Sequence, residues 1–125
     1  MTDIHTYEID GKSYHGFFAS SGEQNAPCVL IAHAWAGRDE FVNSNAKELS
    51  KLGYHSFALD MYGEGKNGSS VEENSALMQP LLDDRDELAK RVLGASEYVQ
   101  SLEEVNSSEI AIMGYCFGGL VALSL

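Results

Sequence analysis

The stretch IAIMGYCFGG, residues 110–119, sets a cysteine between glycines: Gly114-Tyr115-Cys116-Phe117-Gly118-Gly119. An apolar run leads into it and a second apolar run, GLVALSL, leads out. Gly-x-nucleophile-x-Gly between a strand and a helix is the pattern of a nucleophile elbow, here with Cys in place of Ser. A nucleophile held in such a tight turn has unfavourable backbone angles. The residues two before and two after it must therefore be small for the turn to close. Gly114 and Gly118 fill those places, and Gly119 lets the following helix pack closely. The turn lifts the Cys116 sulfur above the strand ends at a helix N-terminus, where the dipole and free N–H groups favour thiolate over thiol. The backbone N–H of Phe117 is then placed to donate to a developing oxyanion. The opposing reading is a small buried cysteine whose neighbouring glycines serve packing alone.

A second cluster, His33-Ala34-Trp35-Ala36-Gly37, follows directly on the apolar run CVLIAHA. In an elbow architecture the loop after this earlier strand supplies a second oxyanion amide, here the backbone N–H of Trp35. The Trp35 indole is either a pocket wall or a core residue, since large aromatics dominate both. His33 is either a general base or a hydrogen-bonded core histidine. The order nucleophile, acid, histidine favours the core reading, because His5, His15, His33 and His55 all precede Cys116. Arg85 is the one charged member of an apolar stripe at 81, 85, 88, 92, 95, 99 and 102. Either its guanidinium points into the site to pair with a substrate carboxylate, or its stem packs and its head reaches water or Asp60. Asp83, Asp84, Asp86, Glu87, Lys90 and Arg91 read as a solvated face. Gly63-Glu64-Gly65-Lys66 lacks the spacing of a phosphate loop.

The elements that must position these residues follow from pattern. Residues 6–9 and 12–19 read as strands joined by Asp10-Gly11, a turn pair suited to positive φ at both positions. After a polar loop over 20–26, the apolar run 28–34 suits a strand buried on both faces. A helix over 42–52 ends near Gly53, and a buried strand over 54–59 carries Asp60 at its carboxyl end. Residues 63–74 read as a glycine-rich surface loop. One long helix is expected over 81–102 with Pro80 in its first turn. A strand over 110–115 and a helix from 118 to 125 close the sequence. A hairpin followed by alternating strands and helices predicts an α/β fold: a mostly parallel sheet with flanking helices on both faces and right-handed crossovers.

Composition narrows the function classes. The 125 residues carry 8 Lys+Arg against 19 Asp+Glu, a formal net charge of −11, with 44% apolar and 22% charged residues. That is an ordinary globular mixture. Its acidity, without a basic run, argues against nucleic acid and anionic lipid as partners. Cys28 and Cys116 match no metal or disulfide spacing, so no metal site is expected. No apolar run approaches a membrane span and the first ten residues do not read as a targeting signal, so a cytoplasmic location is the expectation.

With these motifs in hand, the chain resembles the dienelactone hydrolases of the α/β-hydrolase fold over about residues 29–123. VLIAHAWAG resembles the family's third-strand motif, KLGYHSFALDMYGEGK its fourth strand and the loop after it, and EIAIMGYCFGGLVALSL its fifth strand, cysteine elbow and following helix. The resemblance implies a cofactor-free hydrolase of lactones or related carboxylic esters, acting on a small-molecule substrate. Cys116 would be the nucleophile, Trp35 and Phe117 the oxyanion amides, and Arg85 would lie in the region of the arginine that binds the substrate carboxylate. It also implies two departures. The family has Glu at the position of Ala34, where the carboxylate helps to control thiol ionisation, and its catalytic Asp and His lie on later strands. Residues 1–125 are thus expected to form the N-terminal part of a single α/β-hydrolase domain, truncated just after the elbow and nearly inactive alone. The elbow strand would be left as an open apolar edge that offers a route to self-association. The alternatives are a non-catalytic assembly module retaining the elbow as a relic, and a redox-sensing thiol at Cys116.

Overall fold

A computed structural model describes residues 2–114 and 116–124. The first strands, β1 (Thr2–Ile9) and β2 (Lys12–Ala19), form an antiparallel hairpin in which Ile9 pairs with Lys12. Asp10 and Gly11 both take positive φ, 53° and 79°, as a two-residue primed turn requires. The chain continues through β3 (Ala26–Ala32), α1 (Glu40–Ser50), β4 (His55–Ala58), α2 (Val71–Asp83), α3 (Arg85–Gln100), β5 (Val105–Gly114) and α4 (Phe117–Leu123). The sheet order is β1-β2-β4-β3-β5. β3 pairs in parallel with β4 and β5, while the hairpin adds two antiparallel strands through the pairing of β2 with β4. β5, which leads into Cys116, lies at one edge of the sheet.

Period-2 alternation divides the core into two layers. Phe18, Leu30 and Phe57 face α2, α3 and α4, where they meet Leu81, Leu88, Val92, Val99 and Val121. Their chain neighbours Phe17, Ile31 and Ala58 face the other way, towards Val42 and Ala46 of α1. Continuous burial of Leu30, Ile31 and Ala32 follows from this double cover, as the unbroken apolar run predicts.

Several element boundaries differ from expectation, among them β1, which begins at Thr2 rather than at residue 6. The expected helix over 81–102 is two helices broken at Asp84, whose φ of −132° and ψ of 85° leave the helical region. The Asp84 side chain instead accepts a hydrogen bond from the Glu87 amide at 3.1 Å and caps α3. Pro80 lies inside α2 rather than in a first turn, because α2 starts earlier, inside the expected loop. There Ser70 caps the Glu73 amide at 3.1 Å, and the Glu73 carboxylate accepts from the Ser69 amide and hydroxyl, both at 2.8 Å. β5 also begins earlier than residue 110, with an irregular register between Ala26 and Cys28 that takes up the polar segment 106–109. The helical stripe survives the break as Leu88, Val92, Ala95 and Val99, all buried.

Leu30 is fully buried in the strand that carries both of its parallel neighbours. Leu30→Ala should cost about 2–5 kcal/mol in urea denaturation, as a cavity in a double-covered core site.

Candidate functional site

Cys116 sits at φ 54° and ψ −114°. A non-glycine residue held there costs on the order of 1–3 kcal/mol, and such outliers cluster at functional sites. The flanking glycines explain how the turn closes. A Cβ added at Gly114 would run into the backbone carbonyl of Gly118. One added at Gly118 would run into the carbonyl oxygen of Ala32 and lie 2.8 Å from that of His33. The elbow therefore packs backbone against backbone at the end of β3. Gly119 differs from expectation: among the described residues a Cβ there meets only the Gly114 carbonyl oxygen, at an ordinary 3.7 Å. Tyr115, part of the elbow motif, lies outside the described residues.

The Cys116 residue is exposed and opens on a cavity of about 410 Å³ lined by Ala34, Trp35, Met78, Cys116 and Phe117. The structure thus brings together the two loops expected to meet, and α2 adds Met78, which sequence reasoning did not single out. Trp35 serves both of its readings at once, lining the cavity and packing against the core. Among the described residues no partner accepts from the backbone N–H of Trp35 or of Phe117. Ala34 lines the cavity where the family motif would place a carboxylate, so the described walls carry no charge.

His33 is fully buried, and both ring nitrogens are engaged. Nε2 accepts from the Met61 amide at 3.0 Å, and Nδ1 donates to the Ala34 carbonyl at 2.7 Å. Burial pushes its pKa down and keeps the ring neutral. This is the hydrogen-bonded core histidine, not a base facing Cys116. The other histidines are committed elsewhere: His55 accepts from the Ser21 amide and donates to the Glu104 carbonyl, His5 pairs with the Tyr98 hydroxyl, and His15 with Thr6.

Arg85 is exposed at the start of α3 and does not line the cavity, so the inward-pointing reading fails. Arg85 opens α3, whose buried residues begin at Leu88. Nor does it reach Asp60, whose buried carboxylate accepts four backbone amides: His15 at 3.0 Å, Tyr62 at 3.2 Å, Gly63 at 3.0 Å and Gly65 at 2.8 Å. The arginine of α3 that turns inward is Arg91, placed by sequence on a solvated face. Its guanidinium donates to Glu87 at 2.7 Å and to the Met61 carbonyl at 2.9 Å, and lies over the Tyr14 ring. The i,i+4 spacing of Glu87 and Arg91 was the available signal.

Tyr62 is a residue that sequence reasoning missed. Its hydroxyl donates to the Trp35 carbonyl at 2.8 Å, and its ring stacks on Phe117 with centroids 6.0 Å apart. It thereby ties the loop after β4 to both halves of the cavity. Only its position just beyond a buried strand hinted at this.

Gly118→Ala should lower stability by about 1–3 kcal/mol, because its Cβ meets backbone that cannot yield. Gly119→Ala, with room in α4, should be neutral or gain up to about 1 kcal/mol from helix propensity. Urea denaturation of the two variants checks the contrast.

Comparison with known proteins agrees with this geometry. A family model described as the dienelactone hydrolase family matches residues 14–125. A curated Bradyrhizobium sp. protein described as a probable 2-oxo-3-(5-oxofuran-2-ylidene)propanoate lactonase is 30% identical over 98 residues, covering 78% of this chain and 39% of that protein. The crystal structure of a dienelactone hydrolase-like promiscuous phosphotriesterase from metagenomic libraries superimposes with a TM-score of 0.93 at 24% identity, covering 100% of this chain and 53% of that one. A cold-adapted esterase from an Arctic intertidal metagenomic library superimposes with a TM-score of 0.76 at 19% identity, covering 98% of this chain and 53% of that one. The chain thus spans about half the length of these relatives or less. With a family match over most of its length and a strained cysteine elbow at the end of an edge strand, the chain belongs to the dienelactone hydrolase family.

Proposed function

We propose that this chain carries the nucleophile and oxyanion half of a hydrolase of lactones or related carboxylic esters, with Cys116 as the nucleophile. The observation that carries the reading is the exposed Cys116 at φ 54°, ψ −114°, opening on the cavity of Ala34, Trp35, Met78 and Phe117. The Cys116 thiolate adds to the ester carbonyl carbon, and the carbonyl oxygen takes the negative charge. The backbone amides of Trp35 and Phe117 stabilise that oxyanion. The carbon–oxygen bond to the alcohol then breaks, the alkoxide takes a proton, and an acyl thioester remains for water to cleave.

The thiol proton and the attacking water need a base, and no histidine or carboxylate among the described residues lines the cavity. The resemblance assigns that role to a His oriented by an Asp on later strands. At mildly alkaline pH solvent hydroxide can take the thiol proton, but nothing in the described cavity activates the water that must cleave the thioester, so residues 1–125 should acylate without turning over. The lining also bears on the acyl group. Apolar walls with no cation favour a neutral acyl chain, because a carboxylate there would lose water without gaining a partner. Arg85, exposed and outside the described lining, supplies no such partner there.

Mixing the protein with 4-nitrophenyl butyrate at mildly alkaline pH should release one equivalent of nitrophenolate and leave a butyryl adduct on Cys116, read by peptide mass spectrometry. Cys116→Ala should show neither. The 4-nitrophenyl monoester of succinate should acylate at least about tenfold more slowly, the penalty for a carboxylate that leaves water for an apolar lining with no cation. Cys28 should stay unmodified: it is buried in β3, and burial pushes its thiol up to about 12. An unacylated Cys116 that iodoacetamide still alkylates would sink the hydrolase reading and favour the redox thiol. A Cys116 inert to both would favour the structural relic.

A further inference from the structure

We infer that His33 is a positioning residue that aims the Trp35 backbone N–H into the Cys116 cavity, an inference that rests on the oxyanion role proposed above. The Met61 backbone N–H can only donate, so the Nε2 atom it reaches at 3.0 Å carries no proton. The single ring proton is then on Nδ1, and it is donated to the Ala34 carbonyl at 2.7 Å. The tautomer is thus dictated by an amide on the loop after β4.

The Ala34 carbonyl and the Trp35 N–H belong to one peptide unit. None of the described peptide bonds is cis, so in this planar unit the C=O and N–H point in opposite directions. The Ala34 oxygen is held from the buried side by His33 and by the Gly37 amide at 3.2 Å. The Trp35 N–H must therefore point away from the His33 ring, and on this inference its direction is into the cavity that Ala34, Trp35 and Cys116 line. The next peptide is clamped separately, by the Tyr62 hydroxyl on the Trp35 carbonyl at 2.8 Å. Rotating the Ala34–Trp35 peptide would strand the carbonyl, the Nδ1 proton and the Gly37 amide together. The buried imidazole therefore acts as a fixed strut between the loops after β3 and β4, a donor at one nitrogen and an acceptor at the other.

The test separates oxyanion chemistry from general thiol access. Acylation by 4-nitrophenyl butyrate builds a tetrahedral oxyanion. Alkylation by iodoacetamide forms a carbon–sulfur bond as iodide leaves, and builds none. Both rates are measured at Cys116 of the 125-residue chain, with circular dichroism and urea denaturation to follow folding. His33→Gln, which keeps a polar group towards Met61 but loses the Nδ1 donor, should slow acylation by at least about tenfold while alkylation stays within about twofold. His33→Asn, whose side-chain amide can reproduce the Nδ1 donor to Ala34, should recover most of the acylation rate. Equal acylation-to-alkylation ratios in wild type, His33→Gln and His33→Asn would overturn the positioning role while leaving Cys116 as the nucleophile. Acylation and alkylation falling in parallel would overturn it in favour of a purely structural histidine. A wild-type protein that alkylates at Cys116 but never acylates would remove the parent reading instead, and this inference with it.

Discussion

The close approach of the elbow to the end of β3 is the constraint on which the site depends. Gly118 lies against the carbonyl oxygens of Ala32 and His33, and Gly114 against the backbone of Gly118 itself. No side chain fits in either gap. That backbone contact lets the chain turn from β5 into α4 with Cys116 at positive φ, and it sets the start of α4 beside the loop that follows β3. The strain at one residue is offset by burial elsewhere. Phe117 and Val121 are both buried in the core cluster shared with α2 and α3.

Around that contact the polar groups at the ends of β3 and β4 form a satisfied network. His33, Asp60, Tyr62 and Arg91 each engage backbone amides or carbonyls on the loops that flank the cavity. Asp60 gathers the turn after β4 around its carboxylate and brings it to the β2 amide of His15. Such buried groups are costly when unpaired, so complete pairing gives the loops one geometry rather than several. The cavity itself is lined by apolar side chains by contrast, so the polar groups its walls offer to a developing charge are backbone dipoles.

Much of the fold was legible because it rests on local rules. The Asp10-Gly11 turn, the double-buried strand through Leu30 and Ile31, and the glycines around Cys116 each carry a physical requirement visible in consecutive residues. The helix break at Asp84 was missed because the apolar stripe continues across it. The caps at Ser70 and Asp84 end and restart the helix more decisively than spacing extends it. Of the two readings of Arg85 the exposed side chain fits the one whose head reaches water, and Arg91 turns inward because Glu87, the Met61 carbonyl and the Tyr14 ring form a receptor for it.

The sequence by itself determined the elbow pattern around Cys116, the small residues that turn needs and the alternation that builds the sheet, since all are encoded within a few residues of one another. Only the tertiary structure decided what faces Cys116 and what His33 does. Trp35 comes from the loop after β3 and Met78 from α2, both distant in sequence from Cys116, and the tautomer of His33 depends on an amide 28 residues away. Contacts between segments depend on how β3 and β5 pair and how α2 packs over them, and no local pattern carries that information.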